Sequence, residues 1–296
     1  MSVAKHVDSS FGTLYVVATP IGNLEDLSAR AIRILREVDL IAAEDTRQTR
    51  KLLTSLDIHT RLISYHKDSE QSRAVELLER LKGGASLALV SDAGTPALSD
   101  PGSVLVNLVV AAGIPLVPIP GPSALATAVC VAGLPGSGFV FLGFLPGKSG
   151  ERRRLLQPLV AGELPVIFYE SPHRLVKSLS DCLEIFGDRE VFVGRELTKM
   201  HEELLHHRLS EVLADFAARD RIKGELVVII KAAVAGAVAD GDPDDLPSII
   251  AWYRDHSSLS LRDATRKIAN DLGLHRSDVY TQALAIWNKP EAVGEE

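Results

Sequence analysis

The chain has 296 residues, close to the length at which one core divides, so two domains or one large α/β domain with an appendage are expected. Hydrophobic residues make up 46% and charged residues 24%, which excludes a largely disordered chain. The formal net charge is −7, from 32 basic and 39 acidic residues. This charge by itself argues against a phosphate-rich partner.

Cysteine spacing and hydropathy indicate the cellular compartment. The two cysteines, Cys130 and Cys182, form no CxxC or Cys/His pattern, so neither a disulfide scaffold nor a structural zinc site is expected. The most apolar stretch, 104–120, is interrupted by Asn107 and Gly113, and MSVAKHVDSS at the start lacks the apolar core of a secretory signal. We therefore expect a cytoplasmic protein with no membrane span.

Residues 1–132 alternate short β-branched runs with helical periodicity, which predicts an N-terminal α/β domain with a parallel sheet and crossover helices. The predicted elements are, in chain order, strand Leu14–Thr19, helix Leu27–Glu37, strand Asp39–Ala43, helix Thr46–Leu56, strand Arg61–Ser64, helix Ser69–Leu81, strand Ser86–Ser91, helix Gly102–Ala112 and strand Ile114–Ile119. In the first of these helices, Ala31, Ile34, Leu35 and Val38 repeat at i, i+3, i+4 and i+7, which is the spacing of an amphipathic helix.

A Pro/Gly-rich junction at 133–138 introduces a second α/β domain, predicted over 133–232. Its late strands are predicted to pair antiparallel because their connections are short. The predicted elements are strands Phe139–Phe144, Pro165–Tyr169, Val191–Gly194, Glu203–His207 and Glu225–Lys231, with helices Gly150–Val160, Pro172–Phe186 and Ser210–Arg219. The second helix is expected to begin at Ser171 and Pro172, which places His173 and Arg174 in its first turn.

The remaining residues are predicted to form a linker and a helical domain. Residues 233–247 are small and acidic, as in a linker, and 248–296 contain helical patterns without a strand. Ala269, Gly273 and Val279 supply the small residue, turn glycine and β-branched residue that a helix-turn-helix places between its helices. A helical hairpin that only caps the preceding domain would have the same pattern.

Four polar loops follow predicted parallel strands. They are TPIGNLED (Thr19–Asp26), AEDTR (Ala43–Arg47), SDAGTPALSDPG (Ser91–Gly102) and PGPSA (Pro120–Ala124). Taken singly, each loop has a structural interpretation as a helix cap or a turn. Because ligands of open parallel sheets bind beyond the carboxyl ends of the strands, four such loops at one edge favour a ligand site.

Several better-known motifs fail on spacing. GFLPGKS at 143–149 has three residues between its glycines where a phosphate-binding P-loop has four, and HEELLH at 201–206 has one residue more than the zinc motif HExxH. GPSAL lacks the second glycine of a GxSxG elbow, and GxGxxG is absent. No metal site, classical nucleotide site or serine-hydrolase site is therefore expected.

The motifs TPIGNLEDLS, AEDTR, LVSDAGTPALSDPG, PGPSA, GFLP, FYESPHR and GRELTKMHEE, in this order, resemble the RsmI family of ribosomal small-subunit RNA (cytidine-2′-O)-methyltransferases. The resemblance covers about Leu14 to Lys231 and extends into the C-terminal helices. This family lies within the tetrapyrrole methylase superfamily, which implies two α/β domains with an S-adenosylmethionine (AdoMet) cleft between them, plus a homodimer. The cofactor-binding positions implied are Asp92, Ala93, Gly94, Ser123, Ala124, Tyr169, Leu197 and Gly224.

The resemblance assigns no catalytic residue, so candidates come from the chemistry. Methyl transfer needs the acceptor oxygen held in line with the methyl group, and a ribose hydroxyl benefits from a general base or a nearby cation. The candidate bases are Glu44, Asp45 and Glu170, and Lys199 is a candidate cation. The alternative for the carboxylates is a structural pair with Arg47 or Arg174.

RNA binding requires basic side chains for phosphates and planar groups for bases. The candidate RNA-binding residues are Arg47, Lys51, His66, Lys67, Arg174 and Arg266. The run Arg152–Arg154 is basic as well, although such runs also solvate ordinary helices. Seven acidic residues lie in the predicted linker and the C-terminal tail, and without them the acids equal the 32 basic residues. The net charge therefore does not oppose an RNA partner.

The leading hypothesis is AdoMet-dependent 2′-O-methylation of a cytidine in the decoding region of small-subunit (16S) ribosomal RNA, within the assembled subunit. One alternative keeps the chemistry and changes the acceptor to a tetrapyrrole of the precorrin type. Another is a regulator that senses a ligand in the cleft and binds nucleic acid through its C-terminal helices.

Overall fold

The computed structural model describes residues 11–134, 138–232, 246–257, 259–272 and 274–287. The chain divides between Ala232 and Ala233 into two compact units, which are described separately below. The predicted linker lies outside the described residues as far as residue 245, as does the predicted turn glycine, Gly273.

The first unit begins with a five-stranded parallel sheet in the order β3-β2-β4-β1-β5. Its strands are β1 (Leu14–Val17), β2 (Leu40–Ala43), β3 (Leu62–Ser64), β4 (Leu87–Val90) and β5 (Leu116–Ile119), and its helices are α1 (Ala29–Glu37), α2 (Thr46–Ser55), α3 (Glu70–Lys82), α4 (Ser103–Ala111) and α5 (Ala124–Val131). Every residue of β2 and β4 is buried, because helices cover both faces of the sheet. This explains why these strands are apolar throughout instead of alternating.

Helix α1 shows how the sequence sets these elements. The hydroxyl of Ser28 accepts a hydrogen bond from the backbone N–H of Ala31 at 3.1 Å and so caps the first turn. The apolar positions Ala31, Ile34 and Leu35 are buried against the sheet, as their spacing predicts. Burial of a side chain such as Leu35 contributes roughly 2 kcal/mol, so packing of this face holds the helix in place.

The second sheet has the order β6-β7-β10-β8-β9. Its strands are β6 (Val140–Phe144), β7 (Val166–Glu170), β8 (Glu190–Arg195), β9 (Glu203–Arg208) and β10 (Leu226–Ile230), and its helices are α6 (Ser149–Leu156), α7 (Leu175–Phe186) and α8 (Leu209–Ala218). β6 and β7 pair parallel, whereas β10 pairs antiparallel with β7 and β8, and β9 with β8. The predicted antiparallel pairing is confirmed.

The predicted start of the helix at Pro172 is wrong by three residues. Helix α7 begins at Leu175, and residues 172–174 form a turn before it. The carbonyl of Ser171 accepts the N–H groups of both Arg174 and Leu175 at 3.1 Å, which closes this turn. Proline at 172 therefore starts a turn and not the helix, and Arg174 is the N-cap residue.

Helix α5 joins the two sheets into one unit. On one face of the second sheet, α6, α7 and α8 cover a core that includes Phe168 and Val228. On the other face, Ile167 and Phe192 pack in one cluster with Ala128 of α5. The helix that follows the last strand of the first sheet thus covers one face of the second sheet. The loops at the carboxyl ends of the first sheet's strands therefore lie beside the second sheet.

The second unit consists of three helices, α9 (Leu246–His256), α10 (Leu261–Leu272) and α11 (Arg276–Trp287). Its own core contains Ile250, Ile268 and Val279. The hydroxyl of Ser260 accepts from the N–H of Asp263 at 3.2 Å at the start of α10. Two α/β layers followed by a helical region confirm the predicted fold class. Across the described part of the chain, no helix has the length and apolar character needed to cross a membrane.

Candidate functional site

A cavity of about 400 Å³ lies among the polar loops predicted to bind a ligand, a size typical of small-molecule sites. The loops after β2, β4 and β5 line it from the first sheet, and the end of β7, the loop after β8 and the start of β10 line it from the second. All eight residues predicted to bind a cofactor are among its lining residues: Asp92, Ala93, Gly94, Ser123, Ala124, Tyr169, Leu197 and Gly224.

The loop after β4 is held in a fixed shape. Thr19 and Gly94 exchange two backbone hydrogen bonds, each 2.9 Å long, which tie this loop to the end of β1. Ala97 and Ser99 both have left-handed backbones, with φ of 64° and 70°. Each such residue costs about 1 kcal/mol or more, so the surrounding contacts must impose this conformation. A preformed loop suits a binding site, because little ordering remains to be done on binding.

Asp45 has a structural position at the mouth of the site. Its carboxylate caps α2 by accepting from the N–H of Arg47 at 2.8 Å, and the Arg47 guanidinium binds it at 2.9 Å. These hydrogen bonds from Arg47 lower the pKa of Asp45 to about 2. Its backbone N–H donates to the carboxylate of Asp92 at 2.8 Å, which links the loops after β2 and β4. A carboxylate this acidic is a weak proton acceptor near neutral pH.

Glu170 is also held by partners. Its side chain is fully buried and accepts from the N–H of Ser171 at 2.8 Å, the guanidinium of Arg174 at 2.8 Å and the hydroxyl of Ser178 at 2.5 Å. Arg174 is therefore engaged inside the second domain, although the sequence suggested it for RNA. The structural pair that the sequence left open as an alternative is the arrangement present.

Glu44 and Glu170 both line the cavity, but no arginine binds Glu44 among the described residues, and the backbone of Asp92 is the one hydrogen-bonding group that lowers its pKa. Burial raises the pKa of Glu44, and the carboxylates of Asp100 and Asp92 raise it further. A raised pKa brings a carboxylate nearer to the value that suits a general base at neutral pH. Of the three candidate bases, Glu44 has the electrostatic surroundings that the chemistry requires.

Asp100 is a cavity residue that the sequence analysis did not single out. Burial raises its pKa to about 6; the hydroxyl of Ser91 lowers it, and the charges of Asp92 and Glu225 add to the increase. It lies in SDAGTPALSDPG, the loop already predicted to bind a ligand, but in the second half, directly before the Pro–Gly that leads into α4. An aspartate before Pro–Gly is common in turns, so its residue type gave no sign of a functional role. Only its position in a loop predicted to bind a ligand could have identified Asp100 as a site residue.

An aromatic wall closes the cavity on the side of the second sheet. The hydroxyl of Tyr169 accepts from the N–H of Leu125 at 3.2 Å, which joins β7 to the start of α5. The Tyr169 ring meets Phe141 and Phe144 edge-on, with centroids 5.0 and 5.5 Å apart. Burial raises the pKa of Tyr169, which keeps its phenol protonated. The wall offers an apolar surface for a planar ring.

Close packing at Gly22 holds the loop after β1 against the loop after β8. A Cβ at Gly22 would lie 2.4 Å from Cγ of Lys199 and 2.8 Å from Oγ1 of Thr198. In the same loop, Glu196 and Thr198 have left-handed backbones, with φ of 52° and 66°. Lys199 binds Glu196 at 2.7 Å and Glu225 at 3.1 Å, so this candidate cation already holds two carboxylates.

The predicted RNA-binding residues fall into separate places. Arg47 is exposed in the first turn of α2, and His66 and Lys67 are exposed after β3, which pairs with β2, so these three share the edge that carries Glu44. Lys51 is exposed about one turn further along α2. Arg266 is in the second unit, exposed and paired with Asp263 at 2.8 Å.

The basic run at 152–154 is largely internal. Arg152 is buried against Asp181, and Arg153 binds both Asp181 and Glu184. Only Arg154 of this run is exposed without an ion pair among the residues described, so the run is not a basic surface. Within the same described ranges, no group of three or more His, Cys, Asp and Glu side chains is placed to hold a metal ion.

Comparison with known proteins defines the class. The family model of Tetrapyrrole (Corrin/Porphyrin) Methylases matches residues 13–213. A crystal structure of diphthine synthase superposes with a TM-score of 0.60 at 14% identity, covering 74% of this chain and 90% of that one. Uroporphyrin-III C-methyl transferase from Thermus thermophilus, complexed with S-adenyl homocysteine, gives 0.54 at 20% identity, covering 74% and 97%. The chain shares the fold of these proteins, and it belongs to the tetrapyrrole methylase family.

A curated relative identifies the branch of that family. Ribosomal RNA small subunit methyltransferase I of Halalkalibacterium halodurans is 44% identical over 275 residues, which are 91% of this chain and 93% of the relative. The chain belongs to the family of ribosomal RNA small subunit methyltransferase I. It is a methyltransferase, and its methyl donor is S-adenosylmethionine.

The cavity fits this donor by its chemistry. Ile21, Leu98 and Tyr169 give an apolar surface for an adenine ring, and the backbone groups of the loop after β4 are available for polar contacts. Carboxylates at Glu44, Asp92 and Asp100 suit a ligand that has a sulfonium and an ammonium group.

Proposed function

We propose that the protein methylates the ribose 2′-oxygen of a cytidine in the decoding region of 16S ribosomal RNA, and that the cavity holds both AdoMet and the target nucleotide. The name of the relative that shares 44% of its residues supports an RNA acceptor in the small subunit. The observation that carries the proposed site is the agreement between the cavity and the motifs, because all eight predicted cofactor positions line it.

In the proposed mechanism, Glu44 is the general base. AdoMet supplies, when bound, a methyl group that an incoming oxygen can attack in line. Glu44 holds the 2′-hydroxyl and receives its proton as the C–O bond forms. Asp45 and Arg47 fix the start of α2 and so the backbone on either side of this carboxylate. Glu170 and Arg174 act as positioning residues beneath the end of β7.

The cofactor-binding role is assigned to both halves of the cleft. Asp92, Ala93 and Gly94 bind from the loop after β4, and Ser123 and Ala124 from the start of α5. Tyr169, Leu197 and Gly224 bind from the second sheet and exclude water around the methyl group. Tyr169 contributes most to this exclusion, since its ring is fixed by two aromatic neighbours and by Leu125.

The exposed cations beside the cleft are proposed to position the RNA. Arg47, His66 and Lys67 lie on the edge that carries Glu44, and Lys51 lies about one turn further along α2, so phosphates bound there would flank a nucleotide in the cleft. Arg266 of the second unit is proposed as a further contact, and residues 248–296 as an RNA-binding helical domain. We assign Arg174 to the support of Glu170 instead.

We also propose a homodimer that acts on the assembled small subunit in the cytoplasm, as the family resemblance implies. Sedimentation velocity of the purified protein tests the dimer, and a single species of monomer mass would exclude it. The division into domains at 1–132, 133–232 and 248–296, with a linker at 233–247, is kept as a proposal that limited proteolysis would test.

The proposed base is tested by Glu44→Gln, with Glu163→Gln as a control of equal charge change at an exposed position. Transfer of labelled methyl to small subunits that lack the modification should slow about 100-fold or more with Glu44→Gln, because a general base contributes about that much. AdoMet binding, measured by calorimetry, should weaken no more than severalfold, so that saturating AdoMet still isolates the effect on transfer. Unchanged turnover would remove Glu44 from the mechanism.

A further inference from the structure

Three carboxyl groups in the cleft have no cationic partner. Glu44, Asp92 and Asp100 all line the cavity, and none forms an ion pair with a Lys, Arg or His in the ranges that the structure describes. The nearby cations are engaged elsewhere: Lys199 by Glu196 and Glu225, Arg47 by Asp45, and Arg174 by Glu170. Asp92 is exposed, but Glu44 and Asp100 are partly buried, so their negative charges without a cationic partner are costly and a cationic ligand would relieve that cost.

Asp100 lies in a loop that is held at both ends. Ser91, at the end of β4, favours the ionised form of Asp100, and its hydroxyl also binds the carbonyl of Gly94 at 3.3 Å. On its other side the loop is clamped where α4 begins, since the N–H of Gly102 donates to the carboxylate of Glu70 at 2.8 Å and Tyr65 donates to the same oxygen at 3.3 Å. The backbone that carries Asp100 is therefore held beside the cavity.

We propose that Asp100, with Glu44 and Asp92, makes the cleft selective for the charge of the cofactor, so that it binds AdoMet more tightly than the product S-adenosylhomocysteine. The two ligands share the adenosine and the amino-acid group, and they differ in the methyl group and in the positive charge on sulfur. Contacts to the shared parts cancel in the comparison, so the uncompensated carboxylates decide the difference. Loss of that charge on methyl transfer would then assist product release.

The selectivity should depend on pH. Asp100 is mostly neutral below its pKa of about 6 and ionised above it. Ser91 favours the ionised form, and Asp92, Glu225 and Glu44 oppose it; Tyr169, on the opposite wall, stays neutral. A bound cation favours ionisation as well. AdoMet affinity should therefore rise as the pH increases through about 6, with release of a proton on binding, whereas affinity for S-adenosylhomocysteine should change little.

The inference rests on the proposal that AdoMet binds in the cleft, and it does not depend on which molecule receives the methyl group. Calorimetry of the full-length protein would compare AdoMet, S-adenosylhomocysteine and an analogue with an amine in place of the sulfonium, at pH 5.0, 6.0 and 7.5 in buffers of different ionisation enthalpy. At pH 7.5 we expect both cationic ligands to bind about tenfold more tightly than S-adenosylhomocysteine, which corresponds to ~1.4 kcal/mol. Equal or tighter binding of the neutral product would overturn the proposal.

Asp100→Asn tests the contribution of the Asp100 charge to ligand affinity. Glu163→Gln removes a negative charge at an exposed position and is the control. Asp100→Asn should weaken AdoMet binding severalfold, leave S-adenosylhomocysteine almost unchanged and flatten the pH dependence; an equal change for both ligands would contradict a charge-reading role. The wild-type comparison stands even if this variant does not fold. Hydrogen exchange of the wild-type protein separates the two ideas, because AdoMet-induced protection that leaves 91–102, 123–125, 169–172 and 224–227 unchanged would reject the cleft as the cofactor site, whatever the affinity ratio.

Discussion

The contact at Gly22 predicts that one methyl group is enough to disturb the cleft. In Gly22→Ala the new carbon would lie 2.4 Å from Cγ of Lys199, 2.8 Å from Oγ1 of Thr198 and 3.1 Å from the carbonyl oxygen of Leu197. Ordinary contacts are about 3.5–4.0 Å, so the loop after β8 must move by about 1 Å. Overpacking of this kind costs about 1–3 kcal/mol, which for a unit of this size lowers the melting temperature by roughly 2–10 °C.

Gly150→Ala is the matched control, because Gly150 lies in α6 and a Cβ there meets nothing within 4 Å. The control should be neutral or stabilising by up to about 1 kcal/mol. Thermal unfolding and AdoMet titration of both variants provide the assay, and Gly22→Ala should also weaken AdoMet binding since Leu197 lines the cavity. Unchanged melting and affinity in Gly22→Ala would refute the packing argument.

The other predictions concern charged groups. Arg174→Ala leaves the buried carboxylate of Glu170 without its cation, so urea unfolding should show a loss of about 3 kcal/mol; weakened RNA binding at unchanged stability would instead make Arg174 an RNA contact. Hydrogen bonds from Arg219, with a further contribution from Arg195, lower the pKa of Glu203 to about 2. The stability it supplies is present above pH 4.5 and lost as the pH falls towards 2, so Glu203→Gln should flatten acid unfolding between those values, and an unaltered profile would contradict this. Lys51→Gln and Lys67→Gln should each reduce the slope of log affinity for RNA against log salt by about 0.7, whereas Arg154→Gln should not; equal slopes in all three variants would remove this edge from the RNA surface.

The main sheet could be predicted because its strands and helices have clear patterns. Buried parallel strands are continuous apolar runs, as in β2 and β4, and the intervening helices show apolar spacing such as that of α1. Helix α5 was missed because ALATAVCV is apolar on all sides and so has no helical periodicity to detect. The start of α7 was misplaced because a proline is compatible with both a helix start and a turn.

The site was only partly predictable for a different reason. Glycine and proline loops at strand ends show where a ligand binds, but the state of each carboxylate depends on neighbours that are distant in sequence. Asp45 and Glu44 are adjacent in the chain, yet Arg47 keeps the first strongly acidic, while burial and then the charges of Asp100 and Asp92 raise the pKa of the second. Arg152 looked exposed in sequence and is buried because Asp181 of α7 lies opposite. Such pairings arise only from the fold.

The most direct test of the central claim is the position of the transferred methyl group. Purified protein and labelled AdoMet would be incubated with unmodified small subunits, free 16S RNA and a precorrin-type acceptor, and the labelled RNA would be digested and read by its resistance to alkaline cleavage, which a 2′-O-methyl group confers. We predict one resistant linkage after a cytidine of the decoding region, formed most efficiently in assembled subunits. Label on a base, on the tetrapyrrole alone, or on no acceptor despite AdoMet binding would contradict the account.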